Sequence, residues 1–207
     1  QNHQSTMYRH NIAVAGYDID KLIDGAKECK KDLSNAFYYT NIRHSMYLNN
    51  RFIESFNVYE PKLYYFTEWL KQLFGETEGK NGVGIFPVST IHTRDLHSLG
   101  QFIQEGNKLM FETFIKVKEV DNYIDYNGRN LHEINNLVLD SVVRAHNIGG
   151  VPCLEIELSD MNLKDMASLI YFFQLAAAYS ALLLNVNPFD QPGVEVYKKE
   201  VRDSLNG

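Results

Sequence analysis

Several polar side chains in this sequence fall at spacings that could bring them together for proton transfer. The first pair lies in KQLFGETEGK, residues 71–80, where Gln72 and Glu76 are four residues apart and would share one face of a helix. Gly75 indicates that the helix ends there, which leaves Glu76 at its C-terminal edge or in a loop. A carboxylate in such a place can act as a general base. The simpler interpretation is a solvated acidic loop, because most glutamates in proteins are exposed.

A second group of candidates lies in HTRDLHSLGQFIQEG, residues 92–106. His92, Asp95 and His97 suggest a metal-ligand cluster, but histidines five residues apart do not share a helical face. Thr93 or Asp95 is a credible N-cap for a helix that runs through His97. The positive end of that helix favours a neutral imidazole at His97, which can accept a proton near neutral pH. The alternative is a histidine that serves only as a structural hydrogen-bonding group.

The third group lies in NPFDQPGVEVYKKEV, residues 187–201. A proline-broken turn is followed by the pattern of a helix start, and Gln191, Glu195 and Lys198 fall along it. These three polar groups could reach one ligand. A capped terminal helix with two solvated lysines, Lys198 and Lys199, explains the same pattern without a site.

The composition limits the class of protein. The chain has 207 residues, 44% of them hydrophobic, which is enough for one globular domain with or without a terminal arm. Its formal net charge of −6 disfavours nucleic acid as a partner, because neutralising phosphates needs a surplus of Lys and Arg. Cys29 and Cys153 lie far apart, in no metal-binding or disulfide spacing, so we expect a reducing, cytoplasmic environment.

Two stretches bear on export and membranes. The start QNHQSTMYRHN has no apolar run of the kind that a secretory signal needs. Residues 166–184 approach the roughly 20 apolar residues that span a bilayer. Gln174 interrupts that run, and the preceding SDMNLKD is typical of a capped helix in a soluble protein. We therefore expect a helix buried in a core, and no membrane.

The apolar periodicity predicts helices that alternate with short strands. This alternation is typical of an α/β architecture with a mostly parallel central sheet flanked by helices. Flexible segments are expected in the first ten residues, in GETEGKNGVG and in VDNYIDYNGR. Helical spacing covers residues 17–33, 36–47, 61–74, 95–105, 131–146 and 162–184, and strands are expected at 108–117, in VGIFPV at 83–88 and in CLEIEL at 153–158.

Five separated motifs together resemble one family, the glucose-6-phosphate isomerases, in its bacterial form. ALLLNVNPFDQPGVEVYKK, residues 181–199, is similar to the C-terminal signature of that family. The resemblance extends from about residue 12 to the end of the chain, and the motifs occur in the family's order. The other four are IAVAGYDID, EPKLYYFTEWLKQLFGETEGK, TRDLHSLGQFIQEG and AHNIGGVP.

The resemblance implies a role for each candidate. Glu76 matches the base that moves a proton between C2 and C1 of the open-chain sugar phosphate through a cis-enediol, and Gln72 matches the glutamine beside it. His97 matches a histidine that assists ring opening and reaches the active site of the partner subunit in a homodimer. Lys198 matches a lysine that acts on the ring oxygen, and Gln191 matches a substrate-positioning glutamine. The resemblance implies no metal or organic cofactor.

The implied fold is a three-layer sugar-isomerase domain of the SIS-like α/β class with a C-terminal helical arm. We expect an unmatched segment at residues 1–11, the second sugar-isomerase domain at 12–186, and the signature with its helix at 187–207. The family's first domain, with the Ser/Thr-rich loop that binds the substrate phosphate, has no counterpart here. A GGR stretch of the family is also missing, and Arg9 without flanking glycines is not assigned its role.

Two functions therefore remain open at this stage. In the first, the chain is the C-terminal part of an isomerase that interconverts glucose 6-phosphate and fructose 6-phosphate, and it is inactive alone because the phosphate-binding half is missing. In the second, it is a non-catalytic domain that keeps the fold and binds a sugar phosphate or another partner.

Overall fold

The computed structural model describes residues 12–120 and 124–206. The predictions for residues 1–11, including the flexible first ten residues and the place of Arg9, lie outside the described residues. The α-helices are α1 (Ile19–Lys31), α2 (Ser34–Leu48), α3 (Tyr64–Glu78), α4 (Arg94–Glu105), α5 (Leu131–Ile148), α6 (Leu163–Leu183) and α7 (Pro192–Asn206). The strands are β1 (Ile53–Val58), β2 (Phe86–Ile91), β3 (Met110–Val117), β4 (Asp125–Tyr126), β5 (Arg129–Asn130) and β6 (Cys153–Leu158).

The central sheet is four-stranded and parallel, in the order β2-β1-β3-β6. It confirms the predicted α/β class. The strand at 153–158 has the predicted bounds, whereas the strand predicted at 83–88 forms three residues later, at Phe86–Ile91. Parallel strands are joined by crossover helices, each of which returns the chain to the end of the sheet where the strands begin. These helices cover both faces of the sheet.

Strand β1 is absent from the strands predicted from the sequence, although it lies inside the sheet between β2 and β3. The strand IESFNV carries three polar side chains, Glu54, Ser55 and Asn57, and all three are completely buried. They conceal the apolar run that a buried parallel strand normally shows. Its apolar residues Phe56 and Val58 point to the core face that α3 and α6 cover.

Aromatic side chains fill this core face. The ring of Phe173 on α6 meets Phe56 of β1 and Phe74 of α3 edge-on, with centroids 5.9 and 6.2 Å apart. The opposite face packs Phe114 of β3 against Leu139 and neighbouring apolar residues of α5. Burial of this kind stabilises the fold by about 25 cal/mol for each Å² of apolar surface removed from water.

Helix α6 contains most of the apolar run at residues 166–184, whose length is close to that of a membrane span. It is long and apolar enough to cross a bilayer by length and composition. In the structure it packs against α1, α2 and α3, and Phe173, Ala176, Ala177 and Ala181 on it are buried. One face of α6 is therefore packed into the core.

Two segments expected to be flexible contain regular structure. In GETEGKNGVG, helix α3 continues to Glu78, and Lys80 then forms an isolated antiparallel bridge with Val83. In VDNYIDYNGR, strands β4 and β5 form a small hairpin around Asn127 and Gly128, which both have positive φ angles. An Asn-Gly pair is a strong hairpin signal, and the sequence analysis missed it.

Candidate active site

Helix α3 carries the first predicted site residues to its C-terminal end. A 3-10 turn at Pro61–Leu63 precedes it, in which the Glu60 carboxylate accepts a hydrogen bond from the Lys62 backbone N–H at 3.1 Å. The prediction that the helix ends at Gly75 is wrong, because it continues to Glu78 and Gly79 is its C-cap. Glu76 nevertheless lies in the last turn, at the predicted C-terminal edge, and is exposed.

Two amide groups hold the Glu76 carboxylate. Gln72 Nε2, one turn earlier on the same helix face, donates to Glu76 Oε1 at 3.1 Å. Gln191 Nε2, from the far end of the chain, donates to Glu76 Oε2 at 2.7 Å. The structure therefore brings together Gln72, Glu76 and Gln191, three of the five predicted site residues. Gln72 and Glu76 lie on a helix and are not part of a solvated acidic loop.

Lys198 lies apart from this group. It sits on α7, which starts with Pro192 and has no buried residue. Its Nζ donates to Glu195 Oε1 at 3.2 Å, an exposed pair within the helix. The structure thus places Lys198 on the same segment as Gln191 but in the solvated arrangement that the alternative interpretation describes.

His97 also lies apart from Glu76. It is exposed on α4, and within the described residues no hydrogen bond joins its side chain to Gln72, Glu76 or Gln191. A residue that acts in a partner subunit would be exposed in a single chain, so this position fits the role that the resemblance implies without testing it.

The start of α4 explains the other residues of the second group. Thr93 is at the N-cap position, but its side chain makes no capping hydrogen bond. Asp95 instead accepts from the Ile91 backbone N–H at 2.7 Å and pairs with Arg94. The hydrogen bond from Arg94 holds the pKa of Asp95 below its usual range, and the Ile91 bond adds to this. Asp95 therefore ties α4 to the end of β2.

His92 is buried, in contrast to His97. Its ring lies between Tyr59 and Phe114, with centroids 5.2 and 5.7 Å away, and its Nδ1 has no hydrogen-bond partner. Burial lowers the pKa of His92 to about 4. His92 is thus a neutral core residue, and it does not form a metal cluster with His97.

An ionic cluster that the sequence analysis missed lies beneath the last turn of α3. The Arg43 guanidinium on α2 is completely buried and donates to Glu54 Oε2 at 2.7 Å, Glu78 Oε1 at 2.5 Å and Ser180 Oγ at 2.6 Å. Burial opposes its charge, but Glu54 and Glu78 outweigh this effect and raise the pKa of Arg43. The guanidinium carbon also lies 4.1 Å from the centre of the Phe74 ring.

This cluster accounts for the length of α3. Glu78 receives a second hydrogen bond from the Ile85 backbone N–H at 3.3 Å, so its carboxylate is fixed on both oxygens. A helix end anchored in this way continues past Gly75. No sequence signal pairs Arg43 with Glu78, because the two residues meet only in the folded chain.

A second buried polar cluster lies on the α5 side of the sheet. Glu112 Oε2 lies 2.5 Å from His146 Nδ1, and Glu112 Oε1 accepts from Asn57 Nδ2 at 2.6 Å. The Cys153 thiol is 3.5 Å from the same carboxylate, and burial beside it raises the pKa of that thiol. Glu, His and Cys are zinc-ligand types, and among the described residues this group could hold a metal ion.

One cavity of the fold lies away from Glu76. Its volume is about 760 Å³, and it runs along the outer edge of β6 towards α1, α2 and α6. Cys29, Tyr38, Ile156 and Asp165 are among its lining residues, and none of the five predicted site residues is. The Glu76 group is therefore an open surface site in this chain.

Solved structures with the same architecture define the class of the fold. A hypothetical protein from Thermus thermophilus superposes with a TM-score of 0.87 at 22% identity, covering 95% of this chain and 52% of that chain. A glucose-6-phosphate isomerase from Chlamydia trachomatis superposes with a TM-score of 0.67 at 21% identity, covering 75% of this chain and 35% of that chain. These structures place the chain among the α/β folds of the sugar-isomerase type.

Sequence relatives define the family, although no protein-family model matches the chain. Glucose-6-phosphate isomerases from Leptospira biflexa and Fusobacterium nucleatum are each 44% identical over 211 residues, and the one from Acetivibrio thermocellus is 42% identical over 210. Each match covers 92% of this chain and 47% of the relative. The chain therefore belongs to the glucose-6-phosphate isomerase family, as the motifs indicate, and it spans about half the length of the curated relatives it matches.

Proposed function

We propose that the chain is the C-terminal part of a glucose-6-phosphate isomerase and supplies the general base of its reaction. The observation that carries the proposal is the Glu76 carboxylate, exposed at the end of α3 and fixed by amides from Gln72 and Gln191. The reaction is the interconversion of glucose 6-phosphate and fructose 6-phosphate.

Glu76 has the geometry that the proton transfer needs. A carboxylate offers about four lone-pair positions, and the two amide donors leave room for it to accept a proton from carbon. In the proposed step Glu76 takes the proton from C2, and the electron pair of that bond forms the C1–C2 double bond while O1 gains a proton, which gives the cis-enediol. Glu76 then returns its proton to C1 while O2 loses a proton and becomes the carbonyl oxygen. The amides from Gln72 and Gln191 orient the carboxylate without being able to take the proton from it.

Ring opening requires further groups, and we assign it to His97 and Lys198. An imidazole and an ammonium can together remove a proton from the anomeric hydroxyl and deliver one to the ring oxygen. Lys198 lies on α7, which directly follows the turn that carries Gln191, and Gln191 contacts Glu76. His97 would act in the partner subunit of a homodimer.

The isolated chain is not expected to turn over substrate. The chain spans 47% of the relatives, and the resemblance assigns the phosphate-binding loop to the other half. Phosphate contacts far from the reacting carbons provide the binding energy that positions those carbons. Loss of these contacts lowers binding and rate together.

A chimaera tests the proposal. The chain replaces the region that it matches in the Leptospira biflexa relative, and turnover of fructose 6-phosphate is followed in a coupled assay. Glu76→Gln should lower kcat by about 10²–10⁴-fold and abolish exchange of the C2 proton with solvent, because the amide keeps the shape but cannot accept the proton. Substrate binding should change little.

Glu105→Gln is the matched control. Gln101 Nε2 donates to Glu105 Oε2 at 2.6 Å, so this exposed pair on α4 repeats the spacing and contact of Gln72 and Glu76. Its substitution should leave turnover unchanged. If Glu76→Gln turned over within a few-fold of the parent chimaera, Glu76 would not be the base.

A further inference from the structure

The side chain of Lys80 is buried next to the candidate site and is not among the predicted site residues. It follows the end of α3, and its side chain is only 6% exposed. A buried ammonium is costly unless all of its donors are paired. Lys80 Nζ donates to the Thr77 carbonyl at 3.1 Å and to the Asn187 carbonyl, and it lies 3.2 Å from Asp190 Oδ1. These three partners match the three N–H donors of the ammonium.

The partners of Lys80 connect the two halves of the candidate site. Thr77 directly follows Glu76, and Asp190 directly precedes Gln191. Two contacts therefore join the end of α3 to the turn at residues 187–191. The exposed one is the hydrogen bond of 2.7 Å between Gln191 and Glu76, and the buried one is made by the Lys80 ammonium.

The turn that carries Gln191 has few other anchors. Within residues 12–120 and 124–206, the polar contacts of residues 187–191 with residues outside the turn and α7 are those to Lys80 and to Glu76. Phe189 in this turn is 87% exposed, and α7 beyond it has no buried residue. The last buried residue before the turn is Val186, at the end of α6. The ammonium is thus the buried attachment point of the turn and of the arm that follows it.

We propose that Lys80 is a positioning residue: it clamps the turn at residues 187–190 to the end of α3 and so sets the place of Gln191 against Glu76. The proposal rests on the proposed function, because Glu76 is taken as the base. Lys80 itself does not touch the substrate. The clamp also fixes the root of α7, and hence the position of Lys198 on it.

The contacts predict a local rather than a global effect of removing the clamp. The turn and α7 bury little apolar surface, so their release opens a segment of low stability while the core stays folded. Asp190 is half exposed and shares Lys80 with two carbonyls, so its loss should loosen the turn less than the loss of the ammonium.

Hydrogen exchange on the 207-residue chain tests the clamp without any need for activity. Lys80→Met should accelerate exchange at least about tenfold in peptides from residues 187–198, while peptides from α6 keep their protection. Lys71→Met is the control, because Lys71 lies on α3 and its Nζ makes only a partly exposed pair with Glu68 at 2.7 Å. Unchanged exchange at 187–198 in Lys80→Met would overturn the proposal. If that variant fails to fold, Asp190→Asn decides, with faster exchange confined to 187–198 as the supporting result and unchanged exchange as the refuting one.

The chimaera then separates positioning from mere stability. Lys80→Met should lower kcat by on the order of 10²-fold, since a misplacement of about 1 Å can cost that much, while KM changes by no more than about threefold because the phosphate contacts lie in the other half. A rise in KM with unchanged kcat would overturn the positioning role. If the parent chimaera is inactive, the proposed function fails, whereas the exchange result still decides whether the clamp exists.

Discussion

Replacement of Arg43 by Met tests how the fold fixes the end of α3. The side chain of Arg43 is completely buried, and Met can occupy the space of its alkyl stem while removing the charge. The substitution leaves Glu54 and Glu78, which are also completely buried, without their cation. Removing one partner of a buried ion pair typically destabilises a protein by about 3–5 kcal/mol.

The contacts place the expected loss within this range. Arg43 makes three hydrogen bonds, and those to the two carboxylates are charge-assisted. Glu54 keeps hydrogen bonds from Tyr39 and Thr113, and Glu78 keeps the one from the Ile85 backbone, so neither carboxylate is left completely unpaired. For a chain of this length, a loss of about 3–5 kcal/mol corresponds to a decrease of roughly 10 °C in Tm.

The assay is urea and thermal unfolding of the 207-residue chain at pH 7, followed by circular dichroism. The triple variant Arg43→Met, Glu54→Gln, Glu78→Gln should recover part of the loss, because it contains no uncompensated buried charge. Lys71→Met, which removes the cation of the half-exposed pair with Glu68, should cost less than about 1 kcal/mol.

A loss in Arg43→Met as small as that in Lys71→Met would refute the argument that Arg43, Glu54 and Glu78 form a coupled ionic unit. A triple variant no more stable than Arg43→Met would refute it as well.

The remaining predictions concern two histidines. Since burial lowers the pKa of His92 to about 4, the folded chain binds fewer protons than the unfolded chain between pH 6.5 and 4, and its stability should fall across that interval by about 3 kcal/mol in total. Urea titrations should show this loss in the parent and a smaller one in His92→Leu, and equal slopes would remove His92 as the cause. In the active chimaera, His97→Ala should slow turnover of the cyclic sugar phosphate more than turnover of its open-chain form, because only the cyclic form needs ring opening. Equal losses on both would exclude that role.

The sequence predicts the elements whose signals are local. Helices show their apolar period, and six of them form close to the predicted bounds. The four-residue spacing of Gln72 and Glu76 predicts their contact, because it depends only on helix geometry. The family resemblance assigns Gln191 and Glu76 to one site but does not predict their contact, and no spacing rule links residues that are 115 positions apart.

The features that the sequence analysis missed are those whose polar side chains find their partners across the fold. Glu54 looks unfavourable in a strand until Arg43, Tyr39 and Thr113 surround it. For the same reason Gly75 suggests a helix end, whereas Glu78 extends the helix by binding Arg43. At these buried polar residues the secondary structure that local propensity favours differs from the one observed, because tertiary contacts determine the observed one.

Glu76 and Glu105 each accept a hydrogen bond from a glutamine one turn earlier, but their surroundings differ. Gln101 and Glu105 on α4 have the same spacing and the same amide-to-carboxylate contact, but both lie on an exposed helix end. Around Glu76, Arg43 anchors the next turn from inside the fold through Glu78, and Lys80 anchors the turn that supplies Gln191.

A reacting carboxylate must keep its position within a fraction of an ångström, and exposed glutamates do not do so unaided. Arg43 and Lys80 are buried cations, and each would be costly to the fold if its partners were missing. Both contact the last turn of α3, Arg43 through the Glu78 carboxylate and Lys80 through the Thr77 carbonyl. Both cations therefore support the proposal that Glu76 is a general base, because such a base would have to stay aligned through catalysis.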